Sequence, residues 1–142
     1  MSLEQNKALV RRSVEASNAR DPDAYDEFYP EDYVMHLPGG QELGRAEWKQ
    51  MGDTFLAAFP DQHVTLDDMI AEGDKVAVRG TNRCTHQGEL MGIPPTGKQV
   101  TYTWMSINRI AGGKIVETWA EHDLMGLMQQ LGALPTPGEG EG

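Results

Sequence analysis

Four histidines, His36, His63, His86 and His122, and the lone thiol Cys84 are the side chains best suited to proton transfer, nucleophilic attack or metal ligation near neutral pH. Their spacing argues against a metal. There is no H-x-x-x-H or H-x-H pair, and one cysteine cannot found a cysteine cluster or an intrachain disulfide. Cys84 sits in a strand-like run, where a thiol is commonly a buried small hydrophobe. His63 follows a helix break and reads as surface. No glycine-rich phosphate loop precedes a helix, so nucleotide binding has no support.

The elements that must position these groups follow from periodicity. Leu3 to Arg20 reads as an amphipathic helix with Leu3, Lys7, Val10, Val14 and Ser17 near helical spacing and Ala8 and Leu9 widening the stripe, and Ser2 suits its N-cap. Asp21-Pro22 breaks it, and a short helix with Tyr25, Phe28 and Tyr29 follows over about 23–28. Asp32 to Leu37 reads as a strand ended by Pro38-Gly39-Gly40. Gly44 to Phe59 forms a third helix with Trp48, Met51, Phe55 and Phe59 along one side. His63 to Ala71 alternates only partly, Glu72-Gly73-Asp74-Lys75 is a hairpin turn, and Lys75 to Thr85 alternates cleanly. A loop over 88–97 leads to a long strand, Lys98 to Ile110. Gly112-Gly113 then turns the chain into an antiparallel partner, Lys114 to His122. Asp123 to Leu131 is a final helix with Gly132 as its stop. Residues 135–142 read as a disordered Pro/Gly/Glu tail behind a single domain over 1–134. Helices first, then a mostly antiparallel sheet, is an α+β layout. A curved sheet packed on three N-terminal helices plus a short C-terminal one makes a cone with an apolar interior.

Several segments, in this order and spacing, carry a resemblance. They are Asp32-Tyr33-Val34, Ala58-Phe59-Pro60-Asp61, Gly92-Ile93-Pro94-Pro95-Thr96-Gly97, Arg109-Ile110, Gly113-Lys114-Ile115 and Gln129-Gln130-Leu131-Gly132. Together they resemble the SnoaL-like polyketide cyclases, which have the NTF2-like cone fold. The resemblance implies intramolecular aldol ring closure without metal or cofactor, a pocket for a small hydrophobic carbonyl compound, and a homodimer. It puts the cyclases' acid/base aspartate at Ala120 and their assisting histidine at Ser106. Neither residue here carries that group.

Alternate strand residues share a face. If Ala120 points into the cone, so do Thr118 and His122, and Ser106 brings Tyr102, Trp104 and Asn108 with it. His122 is then the replacement base, two residues from the missing aspartate. Its alternative is an idle histidine at a strand end. Asp123 is the nearest carboxylate and equally suits the N-cap of the last helix. Glu121 falls on the other face. His36 corresponds to a histidine that the wider family carries near the cone mouth, and is the second candidate for a polar pocket group. His86, in a T-H-x-G pattern, is expected to fix the Pro-Pro loop. Trp104, with Tyr102, Ser106, Asn108 and Ala120, is expected to contact ligand, while Phe55 and Trp119 read as ordinary core. Arg79 and Arg83 share a face with Thr81 and read as a solvated or subunit-facing surface.

The expected function is cofactor-free acid/base catalysis such as aldol cyclisation, isomerisation or hydration. The alternative is a binding protein that has lost the aspartate. A net charge of −10 with no basic, aromatic-interleaved stripe argues against nucleic acid and anionic membranes. With no apolar run of spanning length and no leader pattern, the expected location is the cytoplasm. Met105 and Ile107, on the inferred outer face, suit a subunit contact.

Overall fold

The structure, a computed structural model, describes residues 2–134, so the expected tail over 135–142 lies outside the described residues. Helix α1 (Leu3–Asn18) starts at a capping box in which the Gln5 amide donates to Ser2 Oγ and the Ser2 amide donates to Gln5 Oε1. Its buried residues are Asn6, Leu9, Val10 and Ser13, so Leu9 and Val10 face inward as expected while Leu3 and Ser17 are exposed. Ser13 fits inside because its Oγ donates to the Val10 carbonyl at 2.7 Å, whereas Asn6 Oδ1 is buried without a partner among the described residues. Asn18 ends the helix by pairing its side-chain amide with both backbone groups of Val64, at 2.9 Å each.

Helix α2 (Ala24–Phe28) and strand β1 (Val34–His36) follow. A 3-10 turn at Pro38–Gly40 folds the chain back into a short strand, β2 (Glu42–Gly44), that periodicity does not foresee. Helix α3 (Arg45–Ala58) then leads to β3 (His63–Glu72), β4 (Lys75–Thr85), β5 (Gln99–Ala111), β6 (Lys114–His122) and helix α4 (Leu124–Gln130). The strands form one curved, unclosed sheet in the order β2-β1-β6-β5-β4-β3, antiparallel throughout except where β1 runs parallel to β6. The Gly112 and Gly113 turn has φ of 59° and 75°, left-handed at both positions, which only glycine adopts without strain.

Buried and exposed residues alternate along β4, β5 and β6, which sets an inner face toward the helices and an outer face toward solvent. Two bulges interrupt this. One at Asp67 lets Val64, Leu66, Met69 and Ala71 all turn inward, which is why β3 alternates only partly. The other falls where Arg109 pairs Glu117 but Ile110 pairs Ile115. Inside, Tyr25, Tyr29, Tyr33 and Trp48 stack edge-on and tilted at centroid distances of 4.6 to 5.2 Å, tying α2, the start of β1 and α3 together. No helix among the described residues is long and apolar enough to cross a membrane.

One inner-face glycine has a steric purpose. Gly80 pairs Trp104 across β4 and β5, and a Cβ there would stand 2.4 Å from the indole carbons. Gly80→Val is therefore expected to cost about 1–3 kcal/mol of stability by overpacking. Urea unfolding would measure this, with a red shift of tryptophan emission as Trp104 is pushed toward water.

Candidate functional site

The inner face of the sheet brings the candidate residues into three successive cross-strand rows. Trp104 pairs Gly80 on one side and His122 on the other, Ser106 pairs Val78 and Ala120, and Asn108 pairs Val76 and Thr118. Tyr102 lies one row beyond Trp104, opposite Asn82. Every one of these positions follows from the two-residue alternation about Ala120.

Hydrogen bonds join the rows into two networks. At the outer end Trp104 Nε1–H donates to Asn82 Oδ1 at 2.7 Å, and Asn82 Nδ2 donates to the Tyr102 hydroxyl at 2.9 Å. Deeper in, Tyr33 donates to Thr118 Oγ1 at 2.7 Å, Thr118 donates to Asn108 Oδ1 at 2.9 Å, and Asn108 Nδ2 donates to Ser106 Oγ at 3.1 Å. Burial pushes the Tyr33 phenol far above its ordinary pKa, so it remains a donor at any working pH.

Ser106, Asn108, Thr118 and Ala120 have at most 8% of their surface within reach of water, and Tyr102 in the outer network has 4%. Trp104 and His122 are half-buried and are the most open residues of the three rows. Two hollows lie elsewhere. One of about 390 Å³ sits on the outer face among Ile70, Glu72, Lys75, Ala77 and Ile107, and one of about 310 Å³ lies between α1 and β3.

His122 makes no hydrogen bond or ion pair among the described residues. Burial pulls its pKa below the ordinary value of 6.5, opposed in part by the Glu121 carboxylate. Asp123, its neighbour, is the N-cap of α4: its Oδ1 accepts the Gly126 amide at 2.9 Å. That carboxylate is exposed and committed to the helix.

His36 stands apart from this group. Because β1 lies parallel to β6 with Met35 opposite Thr118, His36 falls opposite Trp119, on the outer face. Its Nε2 meets Glu117 at 2.6 Å and its ring stacks on Trp119 at 5.1 Å. Hydrogen bonding from His36 and Arg109 holds Glu117 below the usual carboxylate range. Trp119, expected in the core, is 38% exposed there. Arg79 is on the same face, bonded to Asp68 at 2.6 Å, and Thr81 bonds Asp67.

His86 is fully buried beside Phe59. Its Nδ1 accepts the Thr96 amide at 3.2 Å, and the Gly97 amide donates to its carbonyl, so it does fasten the Pro-Pro loop. Cys84 is buried and its thiol is pushed up to about 11 by desolvation, which leaves it protonated and unreactive. Among the described residues no three His, Cys, Asp or Glu side chains are placed to hold a metal ion.

Sequence reasoning missed Asn82 and Tyr33. Asn82 had a signal, since it falls at inner parity in Val76-x-Val78-x-Gly80-x-Asn82-x-Cys84. Tyr33 had none, because its partner Thr118 is 85 residues away.

With this geometry in view, three kinds of likeness can be set beside it. The family model described as SnoaL-like polyketide cyclase matches residues 7–131. Two Streptomyces proteins, the aklanonic acid methyl ester cyclases DauD of Streptomyces sp. (strain C5) and DnrD of Streptomyces peucetius, are each 31% identical to this chain. Each match covers 91% of this chain, with 83% of DauD and 92% of DnrD. The crystal structure of AclR from Streptomyces galilaeus, a proposed hydroxylase, superposes with a TM-score of 0.88 at 34% identity, covering 95% of this chain and 85% of AclR.

His122 also gives stability a pH dependence. With a folded pKa below the unfolded value of 6.5, the unfolded chain binds more protons between the two values, so stability rises with pH there. The contribution is complete above the unfolded pKa and is lost as pH falls through the folded one. Asp61 and Glu117, also lowered, act only in the carboxylate range below about 4.5. The stability lost between about pH 7.5 and pH 5.5 in urea unfolding should therefore be smaller in His122→Gln than in the native chain.

Proposed function

The chain belongs to the SnoaL-like polyketide cyclase family, and from that premise we propose that it binds a small hydrophobic carbonyl compound at the rim of the cone and transfers a proton there through His122. The observation that carries this reading is the pairing of His122 with Trp104 on the inner face, a base beside a flat aromatic surface. Removing a proton from carbon next to a carbonyl needs a base that is unprotonated at working pH and shielded from water. Burial keeps the His122 imidazole neutral at pH 7, and its lone pair is not spent on any bond among the described residues. Asp123 contributes as the cap that fixes the turn after His122. This chemistry calls for no metal or cofactor. DauD and DnrD are named for an ester, and that ester is the first substrate to try.

With aklanonic acid methyl ester as substrate, His122→Ala is expected to lower kcat/KM about 10²–10⁴-fold, the range of general acid/base catalysis. In the native chain kcat/KM should fall toward acid pH as His122 is protonated, with an apparent pKa below 6.5. Native turnover that survives His122→Ala undiminished would remove His122 from the reaction.

A second reading is a binding protein without turnover. It is favoured by Ala120, a methyl group where the family resemblance expects the proton-transferring aspartate, with only the neutral Ser106 opposite. Under this reading the ester binds but is never converted.

The outer face supports a homodimer. Ile70, Ala77, Ile107, Trp119 and His36 are register partners in one row across five strands, β3 to β1. Ile70 is 69% exposed and Ile107 is 44% exposed. Two of the flanking charges are already neutralised within the sheet, Arg79 by Asp68 and Arg109 by Glu117, which lowers the cost for a second copy to cover the row. Light scattering should give a dimer for the native chain and a monomer for Ile107→Glu, and a native monomer would refute the pairing. The charge of −10 supports a molecule that avoids nucleic acid and anionic membranes, and the cytoplasm is the location we propose for it.

A further inference from the structure

The deep network has a direction, and one backbone carbonyl sets it. Asn108 Nδ2 lies 3.4 Å from the Val76 carbonyl oxygen, which can only accept. The side-chain amide must therefore keep its nitrogen on that side and its oxygen toward Thr118. Thr118 then has to donate to Asn108 Oδ1, which leaves its own oxygen to accept from Tyr33, a phenol that burial keeps protonated. At the other end Asn108 donates its second N–H to Ser106 Oγ. Ser106 is thus an acceptor within the network. Its own hydroxyl proton has no acceptor among the described residues.

That proton is carried on the inner face, in the row where Ala120 is the opposing residue and next to the row of Trp104 and His122. Successive inner-face rows stand about 6.5 Å apart along a strand, so a flat ligand lying on Trp104 can reach both rows. We infer that Ser106 is the hydrogen-bond donor that recognises a carbonyl or enolate oxygen of the ligand, with Asn108, Thr118 and Tyr33 as positioning residues that hold it in the donating state. This deepens, and rests on, the reading that the cone takes a hydrophobic carbonyl compound. Donation by Asn108 to Ser106 Oγ polarises the serine O–H, and a buried donor with no other partner makes its bond at small desolvation cost. The free proton favours a ligand group that can accept it, such as a carbonyl oxygen. An ammonium at the same place has no lone pair for the serine proton and would lose its hydration.

Two probes that differ only in carbonyl oxygens test this: anthraquinone and anthracene, titrated by quenching of tryptophan fluorescence. The native chain should bind both. Ser106→Ala should weaken anthraquinone about three- to tenfold, the worth of one buried hydrogen bond, and leave anthracene unchanged, which also reports that the variant is folded. Ser106→Thr, which keeps the hydroxyl, should restore anthraquinone affinity. The infrared carbonyl stretch of bound anthraquinone should shift to lower frequency in the native chain and return toward its free value in Ser106→Ala. If both probes bind and Ser106→Ala affects them equally or not at all, the Ser106 assignment is overturned while the apolar site stands. If neither probe binds the native chain, the carbonyl-compound reading itself is overturned, and this inference falls with it.

Discussion

Three strands and the start of a fourth meet at the side chain of Asn108. It is buried, and it bonds the Val76 carbonyl on β4, Ser106 on its own strand and Thr118 on β6, which in turn holds Tyr33 ahead of β1. Polar groups this far from water are costly unless every one is paired. The cone can therefore carry a polar interior only if the registers of β4, β5, β6 and β1 are all correct at once. A slip of one residue at any of these pairings would leave an amide or hydroxyl unsatisfied and turn the inner face outward.

This constraint divides the interior by depth. Below the level of Ser106 the cone is neutral, hydrogen-bonded and buried, with Ala120 supplying only a methyl group. At the rim, Trp104 is held by Asn82 and given room by Gly80, and His122 faces it without a partner. The titratable group is thus the more exposed one, and the directional donors are beneath it. A cyclase with an aspartate at the Ala120 position would have placed its proton-transfer centre one row deeper. The present arrangement moves any such centre toward the mouth.

The outer face obeys the same alternation with opposite consequences. Residues one step away from the inner rows form an apolar band flanked by ion pairs. The bulge at Asp67 matters here, because it keeps Leu66 and Met69 both inward while releasing Ile70 to the surface. A strand read without that extra residue would put Ile70 in line with Val64 and Leu66. That is why its sequence looks like a broken alternation rather than a clean one.

Much of this was legible in the order of residues. The alternation of β4, β5 and β6, the glycine pair at 112 and 113, the helix break at Pro22 and the cap at Asp123 are local, and local rules reach them. So, once the resemblance placed Ala120 and Ser106 in one pocket, parity within each strand put Thr118 and His122, and Trp104 and Asn108, on the same face. The same parity cannot relate strands that are distant in the chain. Only the parallel pairing of β1 with β6, joining His36 to residues 81 positions later, decided that His36 faces outward with Trp119 and Glu117. Likewise only the packed interior decided that Tyr33 belongs to the network and that Ser106 accepts from Asn108. Side-chain direction along a strand has a fixed period of two, whereas the register between remote strands is chosen by the pairing that brings the buried network of Tyr33, Thr118, Asn108 and Ser106 together.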